Sequence, residues 1–232
     1  MRQILPTLSA CSKTSWFPRG DQAGKRTSDR SAVPRGQATR VSLGAKTKMG
    51  LDVLWMDLSV LRSRHPEIRG LLGQNFLSCF NFMLSYREQQ IKFHDDRSLK
   101  PRLRRLAVPF RRSAGRLLLR ATAPPMDFVL DSGALGLILF EDPQDEVSKI
   151  RFRAVAPLGT LTSAAGTRTV RYALWPRLEI GDHVFGKLEV VVVASKLAER
   201  REESGLLPLW LLHSIYFDHE NGSVMLNPRL VE

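Results

Sequence analysis

Phe128-Val129-Leu130-Asp131-Ser132-Gly133-Ala134-Leu135-Gly136-Leu137-Ile138-Leu139-Phe140 sets one acid-hydroxyl-glycine triplet between two apolar runs. Each run has the length of a strand, and Asp, Ser and Gly are favoured turn residues, so the stretch predicts strand, turn, strand with an acid at the turn. An ordinary hairpin accounts for this stretch as well as a presented catalytic carboxylate does. The rest of the chain decides between them.

Outward from that stretch the chain repeats itself, which is the first thing to look for in any sequence. Gly70-Leu71-Leu72-Gly73-Gln74-Asn75-Phe76-Leu77 lines up with Gly205-Leu206-Leu207-Pro208-Leu209-Trp210-Leu211-Leu212. After a two-residue gap, Leu84-Ser85-Tyr86-Arg87 stands over Phe217-Asp218-His219-Glu220, and Ile91-Lys92-Phe93 over Val224-Met225-Leu226. Upstream, Leu51-Asp52-Val53-Leu54-Trp55-Met56 matches Leu188-Glu189-Val190-Val191-Val192-Val193. The unit is a strand, a loop, Gly-Leu-Leu, one short helical turn and a hairpin, and it predicts two lobes of one design.

In this combination the residues resemble the retropepsin-like and pepsin-like aspartic peptidases, most closely the bacterial two-lobed type, over about residues 41–228. The resemblance implies an all-β, bilobal, acid-protease-like β-barrel fold with short helical turns. It implies that Asp131 is a catalytic carboxylate and that Ser132, Gly133 and Ala134 complete its turn. Ser132 would brace the turn by hydrogen bonds across the lobes, and Gly133 would permit the tight backbone. Gly205, Leu206 and Leu207, with Gly70, Leu71 and Leu72, would pack behind the two active-site loops. Ala164, Ala165 and Gly166 would form a flap tip over an extended polypeptide substrate held by strand-like hydrogen bonds.

The chain also departs from that pattern. Residues 1–48 hold no Asp-Thr-Gly or Asp-Ser-Gly, and Asp21 and Asp29 lie in polar, charged surroundings rather than at the end of an apolar strand. The family's mechanism needs two carboxylates close enough to share a proton, one acting as general base while the other stays protonated. One aspartate alone leaves the substrate carbonyl without an acid. Leu135, two residues after Gly133, also stands where the family places a hydroxyl or acid that hydrogen-bonds the carboxylate. The first lobe is therefore expected to be incomplete. The chain is expected to be a piece of an enzyme, a partner in a twofold homodimer lending one Asp131 per copy, or a non-catalytic peptide-binding pseudopeptidase. The function expected is that of an aspartic-type endopeptidase, inactive or dimer-dependent as this chain.

Composition sets the remaining bounds. With 232 residues and 43% hydrophobic content, the chain has material for a sizeable core, which excludes disorder throughout. Its net charge of +12 is concentrated: residues 1–48 contribute +8 and residues 95–120 contribute +7, leaving −3 for everything else. A basic face built into the fold is not expected, nor is nucleic-acid binding, since no aromatics interleave the basic runs. Residues 1–48 are expected to be a disordered basic arm, 49–94 the second half of a first lobe, 95–106 a basic linker and 107–232 a complete second lobe.

Strands are predicted at 128–130, 136–140, 170–174, 178–180 and 190–193, with turns at Gly181-Asp182 and Asn221-Gly222. Short helical turns are predicted near 75–79, 210–213 and 145–149. Cys11 and Cys79 suggest no disulfide framework, and His65, His94, His183, His213 and His219 lack paired metal spacing, so neither metal nor cofactor is expected. Residues 133–136 contain two glycines but no following lysine or helix start, which argues against a nucleotide loop. No run approaches the roughly 18 apolar residues of a membrane span, and no clear signal peptide is present, so the compartment stays open.

Overall fold

The computed structural model describes residues 34–63, 65–94, 107–141, 153–154, 158–163, 166–194 and 202–227. Among them the chain is almost entirely β. In the N-terminal region β1 (Arg35–Leu43) and β2 (Lys46–Leu54) form an antiparallel two-stranded ribbon. Two one-turn helices follow, α1 (Ser59–Arg62) and α2 (Gln74–Leu77), and then the hairpin of β3 (Asn81–Ser85) and β4 (Gln90–His94).

The C-terminal region begins with β5 (Ala107–Ser113), β6 (Arg116–Thr122), β7 (Pro125–Asp131) and β8 (Leu137–Glu141). It continues through β9 (Arg153–Ala154), β10 (Gly159–Ser163), β11 (Gly166–Ile180) and β12 (His183–Ala194). It closes with β13 (Gly205–Pro208), a 3-10 turn (Leu209–Leu211), β14 (Ser214–Asp218) and β15 (Ser223–Leu226).

These strands make one thirteen-stranded mixed sheet in the order β10, β11, β12, β8, β13, β7, β6, β5, β15, β14, β3, β4, with β9 joined to β11. The core is assembled where apolar runs fall on central strands. β6 carries Leu117, Leu118 and Leu119 in succession, all buried, because it lies between β5 and β7 with both faces covered. Phe128, Leu139, Trp175, Leu178, Leu207, Ile215 and Phe217 complete the same cluster. The β11–β12 hairpin turns at Gly181-Asp182 as predicted. Gly181 has φ +55, and a Cβ there would meet the Val108 side chain at 2.6 Å, so the position demands glycine twice over.

The all-β class expected from the sequence is the one found, and the barrel expected with it is corrected. The strands form an open sheet whose edges are β10 and β4, not a closed barrel. β11 also returns to the end of β6 through the isolated bridge between Ala123 and Glu179. The boundary expected at residue 48 is also displaced, since β1 and the start of β2 precede it. Alternation there is carried by Ala38, Val41 and Leu43 among basic and hydroxyl residues, which hides a strand inside a charged segment. The arginines of β5 and β6 are engaged: Arg111 pairs with Glu202 at 2.9 Å, Arg116 with Glu203 at 2.6 Å and Arg120 with Asp127 at 3.1 Å. Residues 95–106 and 145–149, and the arm up to residue 33, lie outside the described residues.

Candidate active site

β7 delivers Asp131 as its last residue, and β8 leaves the other side of the turn six residues later. β13 is threaded between them, parallel to β7 and antiparallel to β8. Its register sets Gly205 opposite Phe128 and Leu139, and Pro208 opposite Asp131. A strand from far along the chain thus pins both legs of the acid turn, which a two-strand hairpin could not do. Gly205 makes this possible. A Cβ there would stand 2.1 Å from the Ile138 carbonyl oxygen and 3.1 Å from the Phe128 ring.

At the turn itself the Gly133 N–H donates to Asp131 Oδ1 at 2.7 Å, fixing one carboxylate oxygen. Gly133 is not in the left-handed region, and a Cβ there would make only an ordinary contact with Oδ1 at 3.4 Å, so what the position supplies to the carboxylate is its backbone N–H. Ala134 is buried, and its carbonyl accepts from the Trp210 indole N–H at 3.1 Å, tying the 3-10 turn after β13 to the acid turn. Asp131 is half-buried and Ser132 exposed. Ser132 makes no hydrogen bond among the described residues, so the expected brace across lobes is not formed there. Leu135 is 84% exposed and Trp210 48% exposed, so the turn that carries Asp131 has large apolar side chains in solvent on it and on the 3-10 turn bonded to it.

From the N-terminal region Tyr86 feels the charge of Asp131. Burial, and then the charge of Asp131, push its phenol above the usual range. Its backbone N–H donates to the His213 carbonyl at 3.0 Å. Sequence reasoning placed Tyr86 in the repeat without assigning it a role; its position directly after an apolar strand, matching His219, was the available signal. His219 itself is buried among Phe82, Phe110 and Phe217, with Arg112 at 3.0 Å from Nδ1. Burial, and then Arg112, hold its imidazole down to about 3.

The second Gly-Leu-Leu does not match the first in its surroundings. Leu206 is half-buried and Leu207 fully buried, whereas Leu71 and Leu72 are 63% and 42% exposed. This corrects the expectation that all four pack behind active-site loops. Among the described residues, 70–73 belong to no strand ladder, and nothing lies within 4 Å of where a Gly70 Cβ would be. Of the flap, Ala164 and Ala165 lie outside the described residues; Gly166 opens β11 and pairs with Ser163 across the β10–β11 hairpin. Among the described residues no three His, Cys, Asp or Glu side chains converge as a metal site, and no helix is long and apolar enough to cross a membrane.

The two terminal hairpins, in contrast, correspond closely. Shifting β3–β4 by 133 positions reproduces the register of β14–β15: Phe82 with Phe93 becomes Ile215 with Leu226, and Leu84 with Ile91 becomes Phe217 with Val224. Their turns agree as well. Ser85 Oγ accepts from the Glu88 N–H at 3.1 Å, as Asp218 Oδ1 does from the Asn221 N–H at 3.0 Å. Gln89 and Gly222 hold the matching left-handed positions, at φ 53 and 64. β3 and β14 pair antiparallel about Met83 and Tyr216, the symmetric point of that shift.

No family model matches the chain, and no curated protein matches it. Among solved structures it is similar to a retropepsin-like aspartic protease from Rickettsia conorii, with 19% identity and a TM-score of 0.34, over 51% of this chain and 88% of that one. Likeness at that level leaves the reading of the site to this chain's own geometry.

Proposed function

We propose that this chain carries one complete and one incomplete lobe of a retropepsin-like aspartic endopeptidase. The carrying observation is the threading of Gly205–Pro208 between the two strands that present Asp131. In this reading Asp131 and a second carboxylate share a proton, activate water and protonate the substrate carbonyl. The Gly133 N–H orients one oxygen of Asp131. Leu135 and Trp210 supply apolar contact for side chains of an extended polypeptide bound alongside.

The register identity of the two hairpins supports descent of both lobes from one design. It also weighs against a homodimer: β3–β4 already occupies the place, relative to β14, where the hairpin of a second copy would stand. The second carboxylate is then expected from outside this chain's described residues, and the chain alone is expected to be inactive. Leu135, lacking a hydroxyl or acid for Asp131, favours the second reading of a peptide-binding pseudopeptidase.

The test is hydrolysis of an unstructured protein between about pH 3 and 7. It compares this chain with a tandem in which a second copy of residues 107–141 precedes Met1 through a Gly/Ser linker. Expected is hydrolysis by the tandem alone, lost when Asp131→Asn is made in either copy of the motif. Hydrolysis by the unmodified chain that survives Asp131→Asn would discard the reading.

A further inference from the structure

Two acids are buried among the described residues, Asp218 and Glu203. Asp218 serves its own hairpin, where its carboxylate accepts from the Asn221 N–H and side-chain amide. Glu203 instead reaches another strand. It lies two residues before β13, 5% exposed, with Oε1 on the Arg116 guanidinium at 2.6 Å. Taking an ion pair out of water costs about what its attraction returns, so apolar residues of similar size would hold the same place at least as firmly. Stability therefore does not explain a charge buried there, whereas fixing one arrangement over its neighbours does.

The surroundings show what would be fixed. Ser204 already runs between the legs of the acid turn: its N–H donates to the Asp127 carbonyl at 2.7 Å, and its carbonyl accepts from the Phe140 N–H at 2.9 Å. Just before it Glu203 holds Arg116, and Glu202 holds Arg111 at 2.9 Å and the Ser113 hydroxyl. Ser113 and Arg116 face each other across the Ala114-Gly115 turn of β5 and β6. The head of β13 is thus clamped by charge to a hairpin that it does not itself pair with. Its other end has less to hold it. Pro208, opposite Asp131, has no N–H to give the ladder, and with Leu206 beside Leu207 a one-residue slip would still put a leucine on either face. The fit at Gly205 forbids any side chain in its place, but glycine has none of its own with which to grip.

We propose that Glu203 and Arg116 are positioning residues for Asp131. Their ion pair, with Glu202 on Arg111 and Ser113 beside it, fixes the head of β13, and the strand carries that position from Glu203 to Pro208, about 17 Å at the rise of a strand, where it meets the aspartate. This rests on the reading of Asp131 as a working carboxylate and adds to it residues remote from the turn. Asp131 is then set from two points: along β13 from the charged clamp, and at the crest of the turn through the Trp210 indole on the Ala134 carbonyl.

The experiment is site-resolved amide hydrogen exchange on the full chain and on two variants, Glu203→Gln and the apolar pair Glu203→Met with Arg116→Leu, with the Gly133 amide proton shift read by NMR from the same samples. Rates at 133–135 are taken relative to Val190 and Val192 of β12, so that a change in overall stability does not enter. Expected in the apolar pair is exchange about tenfold faster at 133–135 on that scale, with the urea midpoint close to the parent's. The Gly133 amide proton should move upfield as its bond to Asp131 Oδ1 loosens. Glu203→Gln, which can still accept from Arg116, should fall between, and it decides alone by the same two readings if the apolar pair does not fold. Parent ratios at the turn with an unmoved Gly133 proton overturn the proposal, whatever the midpoint does, and so does quickening confined to 202–205. Neither reading uses hydrolysis. A responsive turn with an inert tandem removes only the endopeptidase reading; an unresponsive turn with an active tandem removes only the positioning role.

Discussion

Gly205-Leu206-Leu207 and Gly70-Leu71-Leu72 are the same three residues in opposite surroundings. The first is a central strand, with its glycine against the backbone of β8 and Leu207 1% exposed. The second lies outside any strand or helix with both leucines exposed. Local propensity cannot explain the difference, because the triplets are identical. Neighbours decide it: β7 and β8 exist for one triplet and have no counterpart among the described residues around the other. A sequence pattern therefore specifies a strand only when its partners are present, as expected where cross-strand packing rather than intrinsic preference sets strand stability.

The sharpest way to break this comparison is the same substitution at both glycines. Gly205→Ala drives a Cβ to 2.1 Å from the Ile138 carbonyl oxygen, and overpacking against backbone should cost about 3 kcal/mol or more. Gly70→Ala should lie within about 0.5 kcal/mol of the parent. Urea midpoints of the two variants measure this, and equal losses would mean that residues 70–73 are packed after all. The leucines should follow with a slightly smaller contrast. Leu207→Ala removes a fully buried side chain and is expected to cost about 3 kcal/mol, whereas Leu72→Ala should cost well under about 1 kcal/mol.

A third contrast lies in the hairpin turns, where Tyr86 and His219 occupy matching positions. The His219 pKa is depressed, so the folded state keeps it neutral while the unfolded chain takes up a proton below its ordinary 6.5. Stability from this source is fully present above about 6.5 and is lost as pH falls toward about 3. With about 1.36 kcal/mol per unit, roughly 2 kcal/mol should be gone by pH 5. His219→Phe keeps the aromatic packing against Phe110 and Phe217 and removes the titration, so its stability should change less between pH 7 and 5 than the parent's. Parallel pH slopes in parent and variant would show that the buried imidazole is not the source.

Much of this arrangement was legible. Apolar runs on either side of Asp131 announced β7 and β8, and the repeat announced both Gly-Leu-Leu segments and both hairpins, because burial on central strands leaves long hydrophobic signatures. β1 was not legible: its inward residues are Ala38, Val41 and Leu43, too small and too diluted by arginine and threonine to show a period. Tyr86 and His219 were passed over for a different reason. Their environments are made by strands paired across more than a hundred residues, through β3 against β14 and Arg112 against His219. No local window contains that information.

The smallest expected effect separates holding the acid turn from building it. Trp210 is half in solvent, so little of its worth is burial; its specific contribution is the indole N–H donated to the Ala134 carbonyl. Trp210→Phe keeps an aromatic ring and deletes that donor, which should cost about 1 kcal/mol in the urea midpoint. The turn also keeps the Gly133 N–H on Asp131 Oδ1 and β13 between its legs, so the fold should survive the loss. Exchange at the turn amides 133–135 should nevertheless quicken relative to β7 and β8, because Trp210 is the contact that ties the crest of the turn to the 3-10 turn after β13. Unchanged exchange there would assign the rigidity of Asp131 to strand threading alone. The matching position in the repeat is Asn75, whose amide reaches the Asp52 carbonyl instead. In both regions the residue five places after the Gly-Leu-Leu glycine hydrogen-bonds a backbone carbonyl of a neighbouring segment. Only in the C-terminal region is that segment the turn carrying an aspartate.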